Sequence, residues 1–467
     1  MRIVVGILFC LLMHQLESQS FFLGADLSYL NEMEDCGVEY KKAQVKKDPF
    51  QLFADHDCAL VRLRLWHTPS WYDTLNTGRR YSDLNDVKKS ISRAHDANMQ
   101  VLLDFHLSDR WADPAHQIVP AAWAEVVDDL PTLQDSLYNY IFRTMMDLHQ
   151  TNLWPEMIQM GNETNKGILQ SKADNDSGWK LDWERNSALF NTGIKAVRDA
   201  EAASGKSTKI VIHAAGPEGA EWIFPAFLAN GVTDFDIMGI SYYWAWHQPT
   251  TPEQTGLVIQ NLKQNYPEYE VLIAETGYIW TNDSNDNANN IISSTMTGFT
   301  PASPENQRDW LIELTRAVKK SGGLGVLYWE PAWQSSPCFT PWGQGSHQEH
   351  ATFFDFNNNL MTNGGIAWLT YDYNAITSVR NGRFDNIQIY PLQGWDSLQI
   401  VIENPRVRLP ILVKVINLQG QVVFQREIHE KQVSLPLPNL QNGIYQISLD
   451  DRRRAIETRK IYWHGSH

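Results

Sequence analysis

The chain has 467 residues and a formal charge of −15, from 39 Lys and Arg against 54 Asp and Glu. A hydrophobic share of 43% and a charged share of 20% exclude a disordered chain, a collagen-like repeat and a disulfide-dense mini-protein. Acidity with no basic block argues against nucleic acid, an anionic membrane surface or a polyanionic substrate as partner. The 18 Trp exceed what a core alone explains, and sugars are the common reason: their C–H faces stack on indole rings.

In chain order, Arg2 precedes the apolar run Ile3–Met13, and small Ser18 and Ser20 stand before Phe21. This is the order of a secretory signal peptide, expected over residues 1–20. Phe9 before Cys10 argues against a lipoprotein, since a small residue is expected there. No later apolar run reaches about 18 residues, so no membrane span is expected.

Eight short β-rich runs follow: Phe22–Tyr29, Ala59–Trp66, Met99–His106, Glu156–Glu163, Lys209–Ala214, Phe235–Tyr243, Glu270–Tyr278 and Leu324–Glu330. Segments with helical periodicity lie between them, among them Asp86–Ala97, Leu133–Gln150, Trp183–Ala203 and Glu305–Lys320, the last capped by Ser303 or Asn306. Strands alternating with helices predict a parallel sheet, and eight units predict a closed (β/α)8 TIM barrel over residues 21–380. Nearly every run ends in polar or aromatic residues, as barrel strands do where they build a site. The absence of a GxGxxG or P-loop pattern leaves an organic phosphate cofactor without support. After about residue 378 the period changes to alternation, over Leu398–Glu403, Leu412–Ile416, Val422–Ile428, Val433–Leu437, Ile444–Leu449 and Thr458–Trp463. This predicts a small all-β sandwich over 388–467. Cys36, Cys58 and Cys338 allow at most one internal pair, and Cys36–Cys58 is the expected one.

Two glutamates carry the chemistry. Glu163 ends the fourth run and Glu275 the seventh, and these strands face each other across a barrel. Side chains converging from there can place two carboxyls about 5–5.5 Å apart, the separation of a retaining glycosidase. Glu275 is the expected nucleophile, kept ionised by Arg64 and by a hydroxyl from Tyr242 or Tyr243. Glu163 is the expected general acid, kept protonated by burial. Asn162 is placed to bond the sugar 2-hydroxyl. His106, Asp109, Trp111 and Asp113 line the end of the third strand, and Trp66, Trp244, Trp246, Trp329 and Trp333 are candidate platforms for sugar rings. His347 and His350 are spaced as HxxH in a Gly- and Pro-rich loop, a weak zinc signal without the glutamate of HExxH.

Longer motifs place these residues in a family. Gly24–Ser28 (GADLS), Met33–Gly37 (MEDCG), Val61–Trp66 (VRLRLW), Asp104–Pro114 (DFHLSDRWADP), Gly161–Glu163 (GNE), Glu275–Gly277 (ETG) and Tyr328–Trp333 (YWEPAW) resemble glycoside hydrolase family 53, the arabinogalactan endo-β-1,4-galactanases. The likeness covers about residues 22–375. It implies the (β/α)8 fold, retention, Glu163 as acid/base, Glu275 as nucleophile and a secreted enzyme acting on β-1,4-galactan side chains of pectin. A related retaining endoglycanase acting on mannan or cellulose is the alternative. Leu107 stands where Tyr is usual and Arg110 where Thr is frequent, which bears on subsites. Bacterial members carry Ca²⁺ in the loop after the seventh strand, and here Asp283, Asn285, Asn287 and Asn289 put oxygens on alternate residues, as hard Ca²⁺ prefers. The C-terminal module resembles type IX secretion sorting domains in Val413–Val423, Leu440–Tyr445 and Lys460–Tyr462. That implies contact with secretion machinery and a cell-surface or secreted location, against the rival readings of a carbohydrate-binding module or spacer.

Overall fold

A computed structural model describes residues 21–176, 181–373, 387–391, 397–403, 407–417, 421–437, 440, 443–450 and 455–463. The expected leader over 1–20 lies outside them. Two compact units meet between Tyr371 and Asp372.

The first unit is a barrel of eight parallel strands: β1 Phe22–Asp26, β2 Leu60–Leu65, β3 Gln100–Phe105, β4 Met157–Met160, β5 Lys209–Ala215, β6 Ile237–Tyr242, β7 Glu270–Thr276 and β8 Gly325–Tyr328. Each strand pairs with its sequence neighbours, and β8 closes on β1. Six longer helices cover the outside: α1 Leu84–Asp96, α2 Leu130–Gln150, α3 Trp183–Ser204, α4 Pro217–Ala229, α5 Pro252–Asn265 and α6 Pro304–Lys320. Asp83, Asp129, Asp182, Thr251 and Ser303 cap five of them, each accepting a first-turn backbone N–H. Between Ser303 and Asn306, the cap of α6 is therefore Ser303.

Alternation along the strands builds the interior in layers. The lower layer is apolar: Leu60, Leu102, Met157, Val211, Ile237, Leu272 and Leu327, with Phe22 packed against it. Gly24 is required there, because a Cβ would sit 2.2 Å from the Leu60 carbonyl oxygen. Two residues further up, the same inward parity delivers Arg62, Asp104, Gln159 and His213, all buried. An apolar floor thus supports a polar layer that solvent reaches only from the C-terminal mouth.

The second unit has its own core. Strands β9 Ile387–Pro391, β10 Ser397–Ile402 and β13 Gln432–Pro436 form one antiparallel sheet; β11 Ile411–Ile416, β12 Val422–Ile428, β14 Gly443–Asp450 and β15 Ala455–Trp463 form the other, in the order β12-β11-β14-β15. Leu398, Ile400 and Ile402 meet Ile411, Val413, Val415, Ile447, Leu449 and Trp463 between them, the inward half of each alternating strand. Strand β9 precedes the first run expected from the alternation.

One expectation fails here. The disulfide is Cys36–Cys338, and Cys58 is a buried free thiol. Cys58 lies two residues before β2 and packs inward, whereas Cys36 ends a short helix after β1 and Cys338 lies in the loop after β8. Because β1 and β8 are neighbours only in the closed barrel, the pair is invisible to sequence separation. Peptide mapping without reduction should recover Cys36 linked to Cys338, with Cys58 alkylated only after unfolding. Cys338→Ser should cost about 2–4 kcal/mol of stability, read from the denaturation midpoint.

Candidate active site

The site begins at Arg62. Its Nε donates to Gln159 Oε1 at 3.0 Å and its Nη2 to Asp104 Oδ2 at 2.8 Å and Asn162 Oδ1 at 2.7 Å. Nη1 meets Asp26 Oδ2 at 2.7 Å and Glu275 Oε1 at 2.8 Å. One guanidinium thus makes four hydrogen bonds and an ion pair to five side chains on β1, β3, β4 and β7 and in the turn after β4. Burial disfavours the Arg62 charge, but Asp104, Glu275 and Asp26 outweigh it and raise its pKa.

This corrects the sequence expectation, which gave Arg64 to Glu275. Both arginines share the inward parity of β2, and sequence alone does not fix their depth. Arg64 sits one layer higher, pairs with Glu330 at 3.2 Å and lies 4.6, 4.4 and 4.1 Å from the rings of Tyr29, Trp66 and Trp111.

Glu275 faces inward because of a bulge. Ile240 pairs with Ile273, but the next partners are Ser241 and Glu275, so Ala274 is the extra residue. Uninterrupted alternation from Leu272 would turn Glu275 outward. Its second oxygen accepts from Tyr243 Oη at 3.0 Å. Tyr242 has the opposite parity: its hydroxyl donates to the Thr250 carbonyl and its ring stacks on Trp310 outside the barrel. Of the two tyrosines, only Tyr243 touches the carboxylate.

Glu163 lies beyond β4, in left-handed backbone at φ 49° and ψ 54°. Leu107 after β3 and Glu330 after β8 are also left-handed, at φ 52° and 46°. Such conformations in non-glycine residues cost about 1–3 kcal/mol each and persist where surrounding contacts impose them. Gln117 Nε2 donates to the Asn162 carbonyl at 2.8 Å, and Thr164 Oγ1 to the His213 carbonyl at 2.9 Å, which hold the turn that carries Glu163.

The two carboxyls hold protons unequally. Burial, then the charge of Glu275, pushes Glu163 up to about 8. Burial also pushes Glu275 up, to about 7, against the opposing pull of Arg62 and the Tyr243 hydroxyl. Glu275 has the guanidinium within 2.8 Å, so it is the group that ionises first.

The remaining expected residues divide clearly. His106 donates Nδ1–H to Asp104 at 2.8 Å, which leaves a buried, unpartnered Nε2. Asp109 bridges loops instead, accepting from the backbone N–H of Thr68 and of Ala121, each at 2.8 Å. Trp329 and Trp111 are neighbours, with ring centroids 5.5 Å apart. Trp66 and Trp333 are fully packed core, whereas Trp246 is half exposed beside Tyr243. Asp26, Gln159, His213 and Ser241 complete the polar layer. For Asp26, Gln159 and His213 the sequence signal was inward parity two residues above the apolar layer, which Arg62 shares, whereas Ser241 stands four residues above Ile237.

Two carboxyls at the mouth of a barrel, one ion-paired and one part-buried without a cation of its own, make the arrangement that a glycoside hydrolase of the double-carboxylate type uses. The comparisons agree. Residues 22–363 match Glycosyl hydrolase family 53, and residues 388–463 match a secretion system C-terminal sorting domain. An arabinogalactan endo-beta-1,4-galactanase of Cellvibrio japonicus is 43% identical over 360 residues, covering 77% of this chain and 93% of that protein. An endo-beta-1,4-galactanase of Bacillus subtilis is 33% identical, covering 68% and 71%. The family 53 catalytic domain of Ignisphaera aggregans superposes with a TM-score of 0.66 at 29% identity, covering 75% of this chain and 96% of that one. The chain belongs to glycoside hydrolase family 53, and its sorting domain marks it for export.

Protonation of buried carboxyls sets the pH dependence of stability. Glu163 is raised to about 8 and Glu32 to about 8, each chiefly by burial. Unfolded, such groups release their protons near pH 4.3. Between about pH 4.3 and 8 the folded state therefore binds more protons than the unfolded state, and stability falls as pH rises. Buried His106 and His213, held neutral by burial, oppose this below about pH 6.5, so the Tm should decline from about pH 6.5 to 8 in calorimetry. Glu163→Gln should flatten the decline, and an unchanged slope would mean Glu163 is ionised throughout.

Proposed function

We infer that this chain is an exported, retaining endo-β-1,4-galactanase that cuts the galactan side chains of pectin. The observation that carries the reaction type is the pair of carboxyls with Arg62 and Tyr243 on Glu275 alone. Family membership and the galactanase relatives support the substrate class.

In the first step a Glu275 oxygen attacks the anomeric carbon as the bond to the leaving oxygen breaks. Glu163 gives its proton to that oxygen. Esterification removes the Glu275 charge, which lowers the proton affinity of Glu163. It can then take a proton from water, whose hydroxyl displaces Glu275 and returns the β anomer. Arg62 and Tyr243 pass from an anion to a neutral ester oxygen and back, so their bonds favour the return of the nucleophile.

Asn162 uses Oδ1 on Arg62 and one Nδ2 proton on the Ala112 carbonyl at 2.7 Å. Its second Nδ2 proton is the donor we assign to the sugar 2-hydroxyl. Buried His106 Nε2 is an acceptor for another hydroxyl, and Trp329 with Trp111 forms the platform beside the reacting ring. Proton NMR of a galactan digest should show β-configured reducing ends first; α anomers first would overturn Glu275 as nucleophile. Glu275→Ala should lose several orders of magnitude in rate, with azide restoring turnover of an activated substrate as an α-glycosyl azide. Rates on linear β-1,4-galactan should exceed those on mannan and carboxymethylcellulose.

A second set of oxygens at the same loop supports calcium better than the expected one, since Asp283, Asn285, Asn287 and Asn289 are all exposed. Among the described residues no three His, Cys, Asp or Glu groups gather as a metal site. His347 and His350 instead bond the carbonyls of Asn289 and Ile292, fastening the loop after β7. The buried oxygens are elsewhere: Glu349 Oε2 and Asn290 Oδ1 lack partners, and Asp286 lies beside Glu349 and helps burial raise it to about 7. We propose that Ca²⁺ bound in this loop is held by Glu349, Asp286 and Asn290. Chelator should then lower the Tm and added Ca²⁺ restore it, by about 2.7 kcal/mol at a hundredfold excess over Kd, and Glu349→Gln should abolish the response. A Tm indifferent to both leaves Glu349 as a protonated core acid.

The C-terminal unit is proposed to engage the type IX secretion machinery, on the strength of its sorting-domain match.

A further inference from the structure

The reaction assigns no work to Arg64 and Glu330, yet both are buried, each 1% exposed. Glu330 also sits in left-handed backbone, at φ 46°, a conformation that contacts must impose on a residue with a side chain. Its two oxygens face donors of the protein. Oε1 accepts from Arg64 Nη1 at 3.2 Å, and Oε2 accepts from the backbone N–H of Tyr29 at 3.3 Å. Glu330 thus ties β2 to the turn after β1 from its own place after β8, and its contacts are with the protein.

Arg64 is anchored differently from Arg62. Its Nη2 lies 3.4 Å from Ser82 Oγ, and its Nε has no hydrogen-bond partner. Its main neighbours are rings: the guanidinium carbon lies 4.6 Å from the centroid of Tyr29, 4.4 Å from that of Trp66 and 4.1 Å from that of Trp111. All three fall within the range at which a cation is drawn to an aromatic face. Tyr29 and Trp66 are buried and held by packing, Tyr29 stacked on Trp333 at 4.0 Å and Trp66 edge-on to Trp71 at 5.4 Å. Trp111 is the ring of the three that solvent reaches. It lies outside helix and strand in the chain that follows left-handed Leu107, and the shortest of the three cation–ring distances is its own. Its other side meets Trp329, at 5.5 Å.

We propose that Arg64 and Glu330 are positioning residues that fix the Trp111 ring, and with it the sugar platform that Trp111 forms with Trp329. This rests on the platform reading given above. Glu330 holds the guanidinium in place, and the guanidinium holds a loop-borne ring against a barrel strand. The ring is then ordered before a sugar arrives, so binding does not bear the cost of ordering it. Such a contact serves the bound substrate and the transition state alike, so it lowers KM and leaves kcat unchanged. Lysine does not replace it: an ammonium can pair with Glu330 but has no flat surface to lie among three rings.

A double-mutant cycle read in KM and kcat tests this. Arg64→Lys should raise KM for galactan about tenfold, the worth of one desolvated cation–π contact, with kcat within about twofold of the wild type. Trp111→Ala should raise KM at least as much. On the Trp111→Ala background, Arg64→Lys should change kcat/KM no further, because the ring it acts through is gone. An unchanged KM in Arg64→Lys, a loss carried by kcat, or two effects that multiply would each overturn the proposal, the last by making Arg64 a general packing residue. Glu330→Gln frees the guanidinium from the other side and should give the same pattern, which keeps the test decisive where Arg64→Lys does not fold. The platform reading fails separately: Trp111→Ala with wild-type KM removes the platform, whatever Arg64 does.

Discussion

One buried guanidinium sets the terms for the active site. Arg62 donates four hydrogen bonds and ion-pairs Glu275, all within 3.0 Å, and these partners come from strands that meet only in the closed barrel. A lysine is a point charge with three donors and could not span this set. The cost of burying the charge is offset by three carboxylates. The arrangement is therefore weak as a source of stability but strong as a constraint on geometry. It fixes Asn162 through one nitrogen and Glu275 through the other, so residues more than a hundred positions apart acquire a common frame.

The same charge divides the protons. Glu275 contacts Arg62 directly, whereas Glu163 does not, and a second carboxylate close by makes ionisation of Glu163 more costly. Two identical side chains thus hold protons unequally because burial raises both and only one has a cation in contact. The backbone is adapted to the same end. A bulge at Ala274 turns Glu275 inward, and left-handed residues at 107, 163 and 330 interrupt the strand ends. The apolar layer beneath gives this irregular region a rigid floor.

The second unit packs around a core of its own. Its core of alternating Ile, Val and Leu closes around Trp463, and its match is to sorting domains. Catalysis and address are thus carried by separately packed parts of one chain.

The fold was legible because periodicity is local. Eight β-rich runs separated by helical segments specify a barrel, and strict alternation after residue 378 specifies a sandwich. Glu163 and Glu275 stood out as candidates as well, since a carboxylate closing an apolar run is costly without a task, and the barrel brings them close enough to interact. What the sequence by itself determined was therefore fold class, the candidate carboxyl pair and the family motifs around it. The tertiary structure decided the partners. Arg62 and Arg64 have the same parity and differ only in depth, so sequence could not say which of them meets Glu275. Tyr242 and Tyr243 are adjacent, and strand parity at a bulge chooses between them. Cys36 finds Cys338 because β1 meets β8 on closure. In each case the deciding contact joins segments distant in sequence, and its geometry exists only once the barrel has closed.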